Sequence, residues 1–290
     1  MIWSIVSKSE MEGYKIPPVF HHYQEALGRD NIKLAIVDEQ DPLDFINPET
    51  DVVLLRTASK SLVETIHKMG VRSTAETFDK YEYASDKKNL SSFLRCKHIP
   101  VPNQYYIDEI IAGKKYFVKP RYGSESFGIS EKSICKSKHD VVTQVDYLSN
   151  VSHKEALIEE YIEGVDCTVA CYIEPITGKI HTHAIKIECS SEGGVQTHQG
   201  KFGYDEICSS LVGKEKEYAC NLAYEAFRVI GLKHHARIDF RMTSDGKMYL
   251  IDVNLIPGLG PLAHFAKCLL LTENRSYIDS LKAILNSASK

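Results

Sequence analysis

Two short apolar runs between Arg237 and Asn254 carry Arg237, Asp239 and Arg241, then Asp252 and Asn254, on either side of the polar turn Thr243-Ser244-Asp245-Gly246. Side chains alternate along a strand, so Asp252 and Asn254 share one face and Arg237, Asp239 and Arg241 share another. If the runs pair as a hairpin, those faces coincide, and three oxygen ligands meet beside a guanidinium. Hard oxygen donors of this kind hold Mg2+ and leave positions for water and phosphate. The spacing points to nucleotide-dependent phosphoryl chemistry. The plainer reading is a solvated hairpin with a wet acidic face. Leu250, Ile251 and Val253 make a poor solvated strand, and a Pro-Gly-Leu-Gly-Pro run follows at once.

Two further segments could serve a nucleotide. Phe117-Val118-Lys119-Pro120 ends a strand on a lysine and runs into Arg121-Tyr122-Gly123-Ser124-Glu125-Ser126-Phe127-Gly128. Glycines let successive N–H groups turn inward as an anion nest, serines add donors, and Lys119 adds a positive charge. A Gly/Ser hairpin turn after an edge strand is the alternative. Leu157-Ile158-Glu159-Glu160-Tyr161-Ile162-Glu163-Gly164 reads as a strand entering a turn, with Asp166 beyond it. An exposed hinge strand offers a base its backbone donor and acceptor, and Glu159 and Asp166 offer carboxylate oxygens. Acidic turns are also common without a ligand.

The elements that must position these groups follow from periodicity. Ile2 to Val6, Ile32 to Val37 and Val52 to Leu55 are short β-branched runs of the kind buried in parallel sheets. Helical patterns cover His21 to Leu27 and Ser61 to Met69, the second stopped by Gly70. No dinucleotide glycine fingerprint follows the first strand, so no cofactor is assigned there. Ser85 is the expected N-cap of a helix that turns Leu90, Phe93 and Leu94 inward. Strands are predicted over Gln104 to Ile107, Tyr116 to Lys119, Gly128 to Ser130 and Ala156 to Ile162, with a helix at Lys138 to Leu148. Cys167 to Ile173 and Ile180 to Ile187 are strands. A long loop spans Ser190 to Gly203. Ala219, Leu222, Ala223, Ala226, Phe227 and Ile230 mark an amphipathic helix ended by Gly231. Pro261 is the expected first residue of a later helix, whose free N–H groups suit a substrate carboxylate. Capping and tight packing explain that run equally well.

The chain has 290 residues, 43% apolar and 26% charged, with a net charge of -4. This is ordinary for a globular chain of two or three subdomains. It lacks the clustered basic charge of a nucleic-acid footprint. No apolar run spans a bilayer, and the opening MIWSIVSKSE has no signal-peptide layout. Eight cysteines without a CxxC pair read as free thiols in a reducing cytosol. His181, His183, His234 and His235 show no zinc-site spacing.

Taken in order, FVKP, the loop ending in SFGIS, LIEEYIEGVDCTV and ARIDF…YLIDVNLIPG resemble the ATP-grasp superfamily over roughly Asp86 to His264. The D-alanine–D-alanine ligase branch looks most similar. The helix-opening Asp86-Lys87-Lys88 also resembles the glutamate-ligase (RimK-like) branch. The resemblance implies a mixed α/β chain. An amino-terminal open α/β domain covers 1–84, a small lobe 85–163, and a large lobe with the metal site 164–290, the lobes clasping nucleotide between them. It implies phosphate binding by Lys87 and Lys119, with Ser126 covering the β- and γ-phosphates. Glu159 would approach the adenine amino group, Glu160, Tyr161 and Ile162 would line the hinge, and Asp166 would hold the ribose. Asp239, Asp252 and Asn254 would bind one or two Mg2+ ions, with Mn2+ as a substitute. Arg237 and the Gly258 N–H would steady a tetrahedral intermediate, and Lys201 would close over the phosphates.

The implied activity is that of a cytoplasmic ATP-dependent ligase joining a small carboxylate and an amine, amino acids or peptides, through an acylphosphate. A homodimer is usual for relatives, and neither nucleic acid nor membrane is an expected partner. Two departures stand out. Asp252 replaces the usual Glu, which puts the number of ions in question. Ala263 falls where a serine grips the acceptor carboxylate. The second, together with the lack of a clear counterpart for the amino-terminal glycine and glutamate that grip the first D-alanine, argues for a substrate pair other than two D-alanines. A small-molecule kinase on the same fold, or a nucleotide-binding regulator without turnover, are the competing readings.

Overall fold

A computed structural model describes residues 1–11, 19–123, 128–151, 153–174, 176–189 and 206–290. The first β-branched runs become β1 (Ile2–Ser7), β2 (Ile32–Val37) and β3 (Val52–Leu55). With the two-residue β4 (Arg72–Ser73) they form a parallel sheet in the order β2-β1-β3-β4. Helices α1 (Phe20–Leu27) and α2 (Lys60–Met69) connect them. Gly70 ends α2 at φ +64, a left-handed conformation that glycine adopts without a Cβ penalty.

Helices α3 (Phe78–Ser85) and α4 (Lys87–Cys96) follow almost without a break. Asp86, not the expected Ser85, is the N-cap of α4. Ser85 closes α3 by donating to the Glu82 carbonyl, and Asp86 caps α4 by accepting from the Asn89 N–H at 3.2 Å. A second, antiparallel sheet has the order β5-β8-β6-β7, from β5 (Gln104–Tyr105), β6 (Tyr116–Pro120), β7 (Ile134–Cys135) and β8 (Ala156–Glu160). The strand expected at Gly128 to Ser130 is absent, because Gly128 sits at φ +82 and turns the chain. The strand forms six residues later as β7, and α5 (Lys138–Asp146) packs behind it.

The third sheet carries the hairpin. Its order is β11-β10-β9-β12-β13, all antiparallel, from β9 (Val165–Ile173), β10 (Ile180–Cys189), β11 (Glu206–Ser210), β12 (His235–Met242) and β13 (Met248–Asn254). Helix α6 (Gly213–Ile230) covers one face, packing Ala219, Ala223, Ala226 and Phe227 against Val169, Cys171, Ile238 and Phe240. The larger of these, Phe227, Val169, Ile238 and Phe240, contribute about 1.5–3 kcal/mol each. Helix α7 (His264–Glu273) lies on the other face, and α8 (Tyr277–Asn286) packs against α7 and α1. Helix α7 begins three residues after Pro261, with Ala263 at its N-cap, so Pro261 lies in the preceding turn. The apolar side under α6 is therefore the structural face of β12, and its opposite side is free to carry polar groups. Ser73 bridges to Ser289, which ties the last residues back to the first sheet.

Candidate active site

The hairpin register pairs Arg237 with Asn254 and Asp239 with Asp252. The two polar faces thus coincide. A bulge after Asp239 shifts the remaining pairs, a local twist of a kind common beside active sites. Arg237 grips Asp239 through two nitrogens, at 2.9 Å from Nε to Oδ1 and 2.7 Å from Nη2 to Oδ2. Burial opposes the Arg237 charge, and the Asp239 carboxylate overrides it, so the guanidinium pKa is raised. The Thr168 hydroxyl, opposite on β9, also donates to Asp239. The Asn254 Oδ1 accepts from the Ile256 N–H at 2.9 Å, which holds the amide at the mouth of the loop to Gly258.

Two lysines from the preceding segments arrive at this hairpin. Lys119, at the end of β6, donates to the Ile251 carbonyl at 3.1 Å, one residue from Asp252. Lys87, in the first turn of α4, places its Nζ 3.6 Å from Asp252 Oδ1 and also donates to the Gly123 carbonyl. Asp86 and Arg121 set this up. Arg121 forks onto Asp86 at 2.8 and 2.6 Å, and the Lys87 N–H donates to the Arg121 carbonyl at 3.1 Å. The Arg121 guanidinium holds the Asp86 carboxyl below the usual carboxylate range, although burial works the other way.

Glu159 faces Lys119 across β8 and β6, 2.7 Å away, and both are nearly fully buried. Glu160 accepts from Asn103 at 2.9 Å, and its N–H donates to the Asn103 carbonyl. Tyr161 packs under the Lys115 ammonium at 5.7 Å. Ile162 is buried, and its carbonyl accepts from Arg241. Asp166 pairs with Arg241 at 2.8 Å. Before Gly258, the Pro257 carbonyl accepts from Arg56 at 2.7 Å; after it, the Leu259 carbonyl accepts from Tyr277 at 2.9 Å. Ser126 and Lys201 lie outside the described residues.

Two cations at the site, Lys154 and Arg56, carry no signal in the sequence, and a third, Arg241, carried no expected role. A Cβ on Gly123 would lie 3.4 Å from Lys154 Nζ, and burial together with the Lys87 charge lowers the Lys154 ammonium pKa. No motif marks this lysine. Arg56, just past the carboxyl end of β3, stands where open parallel sheets place ligands. Arg241 was visible on the polar face of β12 but had no assigned task.

Two carboxylates, an amide oxygen and a positively charged rim form a donor set that suits a hard divalent cation and a polyphosphate. A different group, Glu206, Cys208 and His264, brings its donor atoms within 4.8 Å of one another. There the Lys267 ammonium sits 3.0 Å from Glu206 and 3.6 Å from Cys208, so a side chain already supplies the positive charge. Burial would raise the Glu206 carboxyl, but His264 and Lys267 prevail and bring it down to about 2 from 4.5. A depressed carboxyl stabilises the fold above its unfolded value and loses that contribution as pH falls through the folded one. Glu206→Gln should thus flatten the stability slope between pH 4.5 and about 2. Urea midpoints across that range check it, and parallel curves for the two proteins would refute it.

A family model described as D-ala D-ala ligase C-terminus matches residues 102–275. The D-alanine--D-alanine ligase of Vibrio parahaemolyticus serotype O3:K6 is 29% identical over 192 residues, 61% of this chain and 53% of that protein. The D-alanine--D-alanine ligase of Aromatoleum aromaticum is 30% identical over 154 residues, 51% of this chain and 45% of that one. The chain thus spans about half the length of the curated relatives it matches. Among solved structures, the D-alanine--D-alanine ligase of Bacillus anthracis superposes with a TM-score of 0.72 at 17% identity, covering 99% of this chain and 96% of that one. A structure of the same enzyme complexed with ATP superposes equally well. The VanG D-Ala:D-Ser ligase of Enterococcus faecalis gives 0.74 at 14% identity, covering 99% and 98%. At these identities the structural likeness speaks to the fold.

Proposed function

Because the chain belongs to the D-ala D-ala ligase C-terminus family and has the ATP-grasp fold, we propose that it is an ATP-dependent carboxylate–amine ligase. One observation carries the reading: Lys87 and Lys119 reach the Asp252 strand from two other elements. A triphosphate between ammonium groups and carboxylates needs that arrangement. We propose the division 1–84, 85–163 and 164–290, with nucleotide held between the last two.

In the proposed reaction an oxygen of the acid substrate attacks the γ-phosphorus, and the bond to the bridging oxygen of ADP breaks. The amine then attacks the acyl carbon, loses a proton, and phosphate leaves. Lys87, Lys119 and Lys154 offset charge on the phosphates, so catalysis is mostly positioning and electrostatics. Arg237 and the Gly258 N–H donate to the tetrahedral oxygen, a contribution of about 2.7–4 kcal/mol per donor in comparable sites. Arg56 and Tyr277 fix the backbone on either side of Gly258. Glu160, Tyr161 and Ile162 line the base, with Glu159 toward its amino group and Asp166 toward the ribose. Ser126 and Lys201 are proposed as lid contacts. Asp239, Asp252 and Asn254 would hold Mg2+, which supplies charge neutralisation to the phosphates when bound.

The named relatives act on D-alanine and D-serine. Ala263 in place of a serine points this chain to other small amino acids or peptides as acid and amine. All eight cysteines are free thiols, in keeping with a cytoplasmic enzyme. Among the described residues no helix is long and apolar enough to cross a membrane. A homodimer without nucleic acid is the proposed assembly. A panel of acids and amines with ATP tests the activity. Phosphate release that requires both substrates, with a product mass of acid plus amine minus water, is expected. A stable phosphorylated acid or alcohol would instead establish a kinase.

A further inference from the structure

The polar face of β12 carries Arg237, Asp239 and Arg241 at successive alternate positions. The first two already have roles in the proposed reaction. Arg241 is only 5% exposed. A guanidinium is rarely buried unless it is paired. Its Nη1 donates to Asp166 Oδ1 at 2.8 Å, and its Nε donates to the Ile162 carbonyl at 3.1 Å. The strand register places Arg241 opposite Asp166.

Backbone packing gives the same result independently. Gly164 lies between the two groups Arg241 holds, and a Cβ there would run into the Met242 carbonyl. The turn from Ile162 to Asp166 is therefore pressed directly onto the end of β12 at its middle and gripped by one side chain at both ends. The hairpin's own hydrogen bonds require none of this.

We propose that Arg241 is a positioning residue for the ribose of ATP, fixing the Asp166 carboxylate in one frame with Asp239, with the Ile162 carbonyl as the second anchor that holds its guanidinium in place. This rests on the ATP-dependent reading above. One strand then sets three groups in a row: the oxyanion donor Arg237, the metal ligand Asp239 and the hinge clamp Arg241. At about 3.3 Å per residue they span about 13 Å. A carboxylate has about four lone-pair sites, enough to accept from a guanidinium and from a ribose hydroxyl together. A planar guanidinium serves two acceptors at fixed angles, which a lysine ammonium does not.

Calorimetric titration of ADP and 2′,3′-dideoxy-ADP separates positioning from simple structural support. Wild type should prefer ADP by about 10- to 100-fold, the range for a hydrogen bond to a charged acceptor. In Arg241→Gln that preference should fall below about 3-fold through weaker ADP binding, with dideoxy-ADP nearly unchanged. Arg241→Lys should recover only part of it. Asp166→Asn, a near-isosteric change, should lose the same preference and serves if Arg241→Gln fails to fold. Equal weakening of both nucleotides in Arg241→Gln, or an intact preference, would overturn the proposal. Wild type that binds neither nucleotide would overturn the ATP-dependent reading, and the proposal with it. Wild type that binds both equally would overturn the proposal and leave the ATP-dependent reading standing.

Discussion

Lys119→Met is expected to lower the stability of this protein by about 3–5 kcal/mol and to abolish tight ADP binding. Its ammonium lies 2.7 Å from Glu159, and both side chains are at most 6% exposed. Removing the cation leaves a nearly fully buried carboxylate without its charged partner. A loss of that size is a large share of a typical 5–15 kcal/mol total. The double variant Lys119→Met, Glu159→Leu separates the two effects. Replacing a whole buried pair by apolar groups is often neutral, so stability should return in the double variant. Nucleotide affinity should not return, because the ammonium is still missing. Urea unfolding with parallel ADP titrations makes the comparison. A single variant as stable as wild type would show that Glu159 has no need of Lys119.

Asp239→Asn is expected to reduce kcat by about a thousandfold or more while the protein still folds. A metal-held phosphate site supplies several kcal/mol of transition-state charge stabilisation, and about 4 kcal/mol corresponds to that factor. The Asn oxygen can still accept from Thr168 and Arg237, which bond Asp239 in wild type. Arg237 does lose its charged partner, so a lower urea midpoint should accompany the kinetic loss. Steady-state phosphate release and the unfolding curve together test this. Wild-type turnover in Asp239→Asn would remove Asp239 from the metal site.

The hairpin was legible in the sequence because period-two alternation decides which side chains share a face. Alternation sets the faces within each strand, but Asp239 and Asp252 meet only because the bulge after Asp239 leaves Ile251 without a partner, a register shift that no local pattern announces. The parallel strands Ile32–Val37 and Val52–Leu55 were legible as unbroken β-branched runs. Contacts between distant elements were not. Lys119 and Glu159 stand 40 residues apart, and nothing local in either segment announces their pairing. Glu159, expected at the adenine amino group, also pairs with Lys119, a contact that no local pattern announces. Asp166, expected at the ribose, also pairs with Arg241, which its own segment does not reveal. Lys154 is an ordinary loop lysine until the fold brings it to Gly123. Local capping was a close contest. Ser85 and Asp86 are both good N-cap residues, and the preceding helix α3 claimed the serine. The strand expected near Gly128 failed because a residue with positive φ cannot continue a pleated strand.

Binding of a non-hydrolysable ATP analogue, titrated with and without Mg2+, most directly tests whether nucleotide and metal share this hairpin. Wild type should bind at least about tenfold more tightly with the metal present, and Asp239→Asn should show almost no such gain. Equal affinity with and without Mg2+ in wild type, or a full metal-dependent gain in Asp239→Asn, would contradict a phosphate and metal centre on β12 and β13.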